Sequence, residues 1–496
     1  MFKKVIDCLI IAMALIFLVI IFIVLLIILW IQVGLYAPLG VIIVVLLFSK
    51  LRVICPILVK PWKFSYLWLI IIILALTVRL CWIFLINTTP VSDFNLMYSY
   101  AQNVHQGDFS GFHNYEYFAR FMHDTVTVLY FSLFYFLNPS PLLLIKIGNV
   151  LWSTLAVYFM YKTGKQIYGE KLGLAAAFLL AIFPPAIMFT SQTMSENMAV
   201  TLFIISGYFF TSLMVQQPQD RWRTFSWLTL CGCSLAMANM FRMIGIVFLT
   251  AYLVYFLFNC NFKKALGYFF TILVTFSLST YIVSSVLLLS GITETHLWHS
   301  KEPFWTSVLK GTNFHTIGHW NEEDAKIADI NNHDPGKITQ ACKDIIKERL
   351  SSASSAKLAN FYLLKFCAEW TNPDFSAYYW TVPNAVDTAS SRYAIKHQSE
   401  ILKVTAVIYF ALSYLSILSL ITLLKDNKQF YKQSFFVILF IGYVLFLLIT
   451  EAQSRYAFSV SWVLIVMAVG GVKLPAVSTF FADSTFPHGI SEKKSN

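Results

Sequence analysis

Long apolar runs separated by short polar breaks occupy most of the chain, and their lengths set the reading. A helix needs about 20 apolar residues to cross a hydrocarbon core about 30 Å thick. Runs of that order lie at 8–31, 34–49, 66–87, 141–161, 172–191, 196–215, 225–241, 243–258, 266–290, 403–424, 434–450 and 456–472, which predicts about twelve spans. The first is longer than the apolar part of a signal peptide and lacks a small-x-small cleavage site, so it reads as a retained span. One run departs from the pattern. Twelve helical residues, as in VTVLYFSLFYFL at 126–137, reach only about 18 Å, so this run belongs in or near the outer interface.

Two stretches are polar enough to lie outside the bilayer, 88–140 and 291–402. In the second, Asn321 is placed to cap a short helix with acids in its first turn, Pro335 opens another helix, and a further helix is expected over 354–369. WTNPDFSAYYWTVPN at 370–384 reads as a proline-broken aromatic loop. The chain divides into an N-terminal two-helix extension (1–65), a transmembrane core (66–290) that includes the first external segment, an external mostly helical segment (291–402), C-terminal spans (403–475) and a short hydrophilic tail (476–496).

Composition agrees with an all-α integral membrane protein. Hydrophobic residues make up 58%, charged residues 12%, and the mean hydropathy is +0.68, outside the range of soluble globular chains. The net charge of +11 raises the question of a nucleic-acid partner, and the location of the charge answers it. With a cytoplasmic N-terminus, basic residues including Lys3, Lys4, Lys50, Arg52, Lys162, Lys165, Arg221, Arg223, Lys263, Lys264, Lys425, Lys432 and Lys473 fall on one side. The excess is a topology signal, and no nucleic acid is implied. Both termini are then inside and both polar segments outside. Cysteines decide little: the CGC at 231–233 is too tightly spaced for zinc or a redox pair, while Cys342 and Cys367 share one external segment as either a disulfide or two buried thiols.

Ionisable residues at membrane depth are costly and mark function. Asp93, Asp108, Glu116, His123, Asp124, Glu196, Arg242, Glu451 and Arg455 all fall at external ends of spans or in external loops. Asp93 stands just where the chain leaves the membrane, in LINTTPVSDFNLMYSYAQNVHQGDF. Ser92 or Asp93 also suits the cap of a helix over 94–105 that Gly107 ends. Capping and catalysis are compatible, because a carboxylate at a helix start is fixed in orientation.

The order of these segments, with YFARFMHD at 117–124, LGLAAAFLLAIFPPAIMFTSQTMSEN at 172–197, GTNFHTIGHWNEEDA at 311–325 and EAQSRYAFSVSW at 451–462, resembles the polyprenyl-phosphate-dependent membrane glycosyltransferases of the GT-C fold. The resemblance is to the bacterial branch related to protein O-mannosyltransferases and aminoarabinose transferases, glycosyltransferase family 39-like, and covers roughly 66–475. It implies a multi-pass plasma-membrane enzyme with an extracytoplasmic active site, a polyprenyl-phosphate-linked sugar donor, and a glycan, polymer, lipid or protein acceptor.

Position by position, the resemblance makes Asp93 the base that activates the acceptor hydroxyl for a single, inverting displacement. It places Arg242 and Arg455 against the donor phosphate. Each has a plainer alternative: a snorkelling arginine for Arg242, and an ion pair with Glu451, four residues earlier on a helix, for Arg455. His123, Asp124 and Glu196 fall where the family lines its active site. A divalent metal there remains an open alternative without supporting spacing; ordinary hydrogen-bonded roles, and a helix start at Glu196 after Ser195, compete with it. Lys365 and Glu369, one helical turn apart, either contact substrate or pair with each other. Arg79 lies deep in a span with no partner readable from sequence.

Two extra spans precede the one leading to Asp93, and Phe94 and Asn95 stand where a second acid is often found. A single base suffices for a donor whose leaving group is already good. The main rival is a multi-pass transporter or lipid flippase of cell-envelope precursors, which calls for midplane sites and related halves. A scaffold of a cell-envelope complex is a third reading.

Overall fold

The computed structural model describes residues 2–34, 40, 64–425 and 430–471. Among these, nine helices of 18 to 31 residues are long and apolar enough to cross a membrane. Two more expected runs appear in altered form: 172–191 is a bent pair, Glu170–Ala181 and Pro184–Ser191, turned by 59°, and 243–258 is the short helix Gly245–Asn259. Apart from Gly34 and Gly40, the run at 34–49 lies outside the described residues, as does the tail at 476–496. No strand forms among the described residues; one isolated β-bridge joins Thr88 to Ala385. The all-α membrane architecture expected from the sequence is what the chain adopts.

Helix order explains the centre of the bundle. The last span, Ser454–Gly471, is 94% buried and Glu196–Gln216 is 72% buried, whereas Tyr66–Leu85 and Phe262–Leu289 are each 17% buried and present their side chains to lipid. Close packing relies on small residues, as it does generally between helices in a bilayer. A Cβ added at Gly173 would stand 2.6 Å from the backbone nitrogen of Lys165, so Glu170–Ala181 folds tightly back on Leu142–Tyr168.

The bend at 182–183 has a covalent cause. Prolines 184 and 185 have no amide hydrogen, and a residue before proline is pushed out of the helical region, so Phe183 is extended (φ −68°, ψ 112°). The Leu180 carbonyl keeps only the Phe183 amide at 3.4 Å, and that of Ala181 is left without a helical donor. Arg79, fully buried in the Phe64–Leu85 helix, supplies them at 3.1 and 3.0 Å and also donates to Ser153 Oγ at 2.7 Å. A cation deep in a span is thereby a cap for a broken one.

The run at 126–137 forms the helix Thr125–Tyr135, only 11 residues long, which packs on the helix Ser92–His105 outside the set of span-length helices. In the second external segment Asn321 caps its short helix by accepting from the Asp324 amide at 2.8 Å, Pro335 begins the helix Pro335–Ser351, and Ser355–Trp370 follows. This segment has a small core of its own around Leu309, Ile338 and Cys342, pinned by the Arg349–Asp324 ion pair at 2.6 Å. Cys342 and Cys367 are separate free thiols.

Replacing Arg79 with Met strands the Ala181 carbonyl, at a cost of about 1–3 kcal/mol, and leaves that of Leu180 with one long bond. The expected outcome is a strong drop in melting temperature in detergent, with Arg79→Lys losing less. Unchanged melting of Arg79→Met would contradict the capping role.

Candidate active site

The segment that leads to Asp93 is held from both sides. Lys146, buried in Leu142–Tyr168, donates to Asn87 Oδ1 and to the Thr88 carbonyl, each at 2.6 Å. The Thr89 amide donates to Asn384 O at 2.7 Å and the Val386 amide to Asn87 O at 2.9 Å. The helix then opens at Ser92, whose φ of +51° lies in the left-handed region that side chains rarely adopt. Its N-cap is Val91, and no side chain caps it. The expected capping role of Ser92 or Asp93 is therefore not adopted, whereas Gly107 (φ +87°) follows the helix end as expected. Released from capping, the Asp93 carboxylate lies in the helix's first turn and faces a cavity.

That cavity has a volume of about 560 Å³ and gathers six of the eight candidate residues: Asp93, His123, Asp124, Glu196, Arg242 and Arg455. They come from five places along the chain. Asp93 is in the first turn of Ser92–His105, His123 and Asp124 immediately precede Thr125–Tyr135, Glu196 begins Glu196–Gln216, Arg242 follows Arg221–Phe241, and Arg455 is the second residue of Ser454–Gly471. All are helix ends, so the polar cluster sits at one face of the bundle.

Arg455 approaches Asp93 at 3.4 Å, with side-chain exposures of 8% and 40%, so the carboxylate is the accessible partner. Its guanidinium packs over the rings of Phe94 (5.0 Å), Trp380 (5.1 Å) and Tyr456 (5.5 Å), and its Nε has no hydrogen-bond partner. The expected intrahelical pair with Glu451 does not form. The helix begins at Ser454, leaving Glu451 in the preceding turn, where it meets Lys310 at 3.6 Å and accepts from Gln453 at 2.9 Å. Arg242 does not snorkel either: it is turned inward, 3.6 Å from Glu196 and 4.5 Å above the Tyr456 ring. The two guanidiniums thus share one tyrosine.

His123 lies 3.7 Å from Asp124. Burial pushes the Asp124 carboxyl above the ordinary carboxylate range, against the pull of His123 and Arg242. Burial, followed by the negative charges of Asp124 and Asp93, likewise raises the Tyr117 hydroxyl, which remains a proton donor beside Asp93. Among the described residues no three His, Cys, Asp or Glu side chains converge closely enough to hold a metal ion.

Residues 123–287 match the family described as dolichyl-phosphate-mannose-protein mannosyltransferase. This is the group that the order of motifs resembles, and the match covers about a third of the chain. Among solved structures, the archaeal oligosaccharyltransferase AglB from Archaeoglobus fulgidus, in complex with an inhibitory peptide and a dolichol-phosphate, is similar at 13% identity and a TM-score of 0.47, over 83% of this chain and 50% of its own. Its apo form gives a TM-score of 0.49 with the same identity and coverage. ArnT from Cupriavidus metallidurans bound to undecaprenyl phosphate is similar at 15% identity and a TM-score of 0.36, over 82% of this chain and 77% of its own. The chain spans about half the length of the archaeal structure it matches. Among curated proteins, none matches the chain.

Sequence reasoning missed three charged residues in the cavity wall. Arg120 pairs with Glu302 at 2.6 Å, and Lys310 lies 3.8 Å from Glu302 and 3.6 Å from Glu451. Arg120 sits inside YFARFMHD, between residues that were singled out, but its partner is 182 residues away. Trp320, Trp380 and Tyr456 supply aromatic surface in the same wall.

Lys365 and Glu369 do not line the cavity. Both are fully buried on the inner face of Ser355–Trp370. Lys365 donates to the carbonyls of Gly311 (2.8 Å), Leu448 (2.9 Å) and Thr450 (2.5 Å), closing the C-terminal end of Phe430–Ile449 and fixing the turn that carries Glu451. Glu369 has neither carboxylate oxygen hydrogen-bonded, and burial pushes its carboxyl well above the ordinary range despite Lys365.

For an acid raised in this way, the stabilising contribution is complete below the unfolded-state pKa and is lost as pH rises through the folded one. Glu369→Gln should therefore flatten the fall in stability as pH increases from about 5 through neutrality, read as melting temperature against pH. Parallel profiles for wild type and variant would show that the carboxyl is not kept neutral.

Proposed function

We propose that the chain transfers a sugar from a polyprenyl-phosphate donor to an acceptor hydroxyl at this cavity. The observation that carries the reading is the convergence of one accessible carboxylate, Asp93, with two inward-turned guanidiniums, the half-buried Arg242 and the buried Arg455, around a hollow of about 560 Å³ at the ends of the spans. A lipid-linked donor needs a membrane-level entry for its tail and an aqueous opening for its sugar; a cavity at helix ends serves both. The family matched over 123–287 is described by a dolichyl-phosphate-linked sugar donor, which supports a donor of the same chemical class here.

In the proposed step the acceptor oxygen attacks the anomeric carbon while Asp93 takes its proton. The bond from that carbon to the phosphate oxygen breaks, and the electron pair leaves on the polyprenyl phosphate. Arg242 and Arg455 stabilise the charge that develops on the phosphate. One displacement inverts the anomeric centre, and a phosphate leaving group removes the need for the paired carboxylates of glycosidases. His123, Asp124 and Glu196 shape the pocket around the donor, with Glu196 holding Arg242 in place. The active site faces the extracytoplasmic side of a plasma membrane, in keeping with the basic opposite face.

A transporter or flippase is less well supported. Such proteins place substrate sites near the midplane on interrupted helices. Here the interrupted pair at 170–191 has its exposed carbonyls filled by Arg79, and the cavity's charges sit at helix ends.

The test is transfer from radiolabelled polyprenyl-phosphate sugars to candidate acceptors in reconstituted membranes. Asp93→Asn should lower turnover at least about 100-fold while leaving donor binding largely intact. Arg242→Met and Arg455→Met should weaken both donor binding and turnover. Full activity of Asp93→Asn, in a protein shown to transfer sugar, would remove it as the base.

A further inference from the structure

The face of the bundle opposite the candidate active site holds a second cavity, of about 450 Å³, formed between helix ends. Glu196 opens the Glu196–Gln216 helix in the first cavity, and Gln217 follows its last residue in the second. At about 1.5 Å per residue, this helix separates the two cavities by about 30 Å, the thickness of a hydrocarbon core.

The second cavity is built from amides and cations. Lys3 enters from the Phe2–Val33 helix, Gln217 and Gln219 from the turn before Arg221, Asn259 from the end of Gly245–Asn259, and Lys264 from the start of Phe262–Leu289. No Asp or Glu lines it. Lys3 Nζ donates to the neutral Asn259 Oδ1 at 3.1 Å, and Lys264 Nζ stands 5.2 Å over the Tyr268 ring. Neither lysine forms a salt bridge among the described residues. Asp7, one helical turn from Lys3, acts on it electrostatically but neither lines the cavity nor closes a salt bridge with it; two cations facing one hollow whose wall holds no carboxylate repel each other, and an anion relieves that repulsion.

We propose that this cavity binds a phosphate-bearing anion. Two ammonium groups and the side-chain amides of Gln217 and Gln219 match the several acceptor oxygens of a phosphate, and the volume suits a headgroup. By the positive-inside rule this face meets the cytoplasmic leaflet, where anionic phospholipids reside. Basic pockets between spans on that side hold such headgroups. The inference is independent of the chemistry at the opposite face.

The experiment uses the full chain in nanodiscs of phosphatidylglycerol and phosphatidylcholine, with retained lipid counted by native mass spectrometry. Wild type should retain phosphatidylglycerol preferentially, and Lys3→Gln with Lys264→Gln should weaken retention by about fivefold per lysine. Lys3→Arg with Lys264→Arg should restore it, which separates charge from folding. Lys162→Gln with Arg221→Gln, the same charge change elsewhere on that face, should leave it within twofold. In a second arm, inorganic phosphate is added to lipid-free micelles. Protection of wild type but not of the double glutamine variant, without a phosphatidylglycerol preference, keeps the site and assigns it to soluble phosphate. Equal lipid retention and equal phosphate protection in wild type and the double glutamine variant would overturn the proposal, as would an equal loss in the Lys162 and Arg221 control.

Discussion

A backbone carbonyl buried away from water must find a donor inside the protein, and three buried cations supply donors at the points where helices here end or break. Arg79 fills the carbonyls of Leu180 and Ala181, Lys146 that of Thr88 at the exit while also holding the Asn87 side chain, and Lys365 those of Leu448 and Thr450. Each mended interruption is followed within the chain by a residue of the cavity: Glu196 after the broken pair, Asp93 after the exit, Glu451 and Arg455 after the end of Phe430–Ile449. A fixed carbonyl end makes a fixed start for the next helix, and the helix starts are where the charged side chains sit. Three cations with no place in the cavity wall therefore set much of its geometry.

The same arrangement shows why part of the site was legible in the sequence. Asp93, Glu196, Arg242 and Arg455 stand where apolar runs stop, so their place at one face follows from run length, and one face is a small enough area for them to meet. Arg120, Glu302 and Lys310 belong to external segments where charge is ordinary; nothing local separates them from solvated neighbours. Lys365 and Glu369 were misleading for the opposite reason. A turn apart on a helix, they look like a surface pair, but the 291–402 segment lays that face against the bundle, and the lysine is spent on carbonyls. The Arg455–Glu451 expectation failed by three residues, because a pair four apart needs a helix between its members and this helix starts only at Ser454.

Run lengths likewise gave the spans without their interruptions. The 172–191 run is long enough to cross straight, and only the adjacent prolines signal the 59° turn that brings Ser191 against Thr88 at 2.8 Å. The interfacial helix Thr125–Tyr135 was readable because length alone disqualifies it as a span. What sequence cannot provide is the pairing partner of a buried cation when that partner is a backbone carbonyl, since every residue has one.

Ion-pair lengths divide the charges into two kinds. Arg120–Glu302 and Arg349–Asp324 are closed at 2.6 Å. Arg455–Asp93 at 3.4 Å, Arg242–Glu196 at 3.6 Å and Lys310–Glu451 at 3.6 Å are looser, and all three flank the hollow. A closed pair at low exposure is costly to separate, because each partner would be left buried and alone. A loose pair beside an open volume satisfies its charges by proximity and leaves hydrogen-bonding capacity unused, as the unpartnered Nε of Arg455 shows. On the proposed reading, a donor phosphate would take up that capacity without dismantling a closed pair, and Asp93 would pass from neutralising Arg455 to accepting a proton. One pair of the wall, Arg120–Glu302, is thus closed, while the reacting groups are held by long ones.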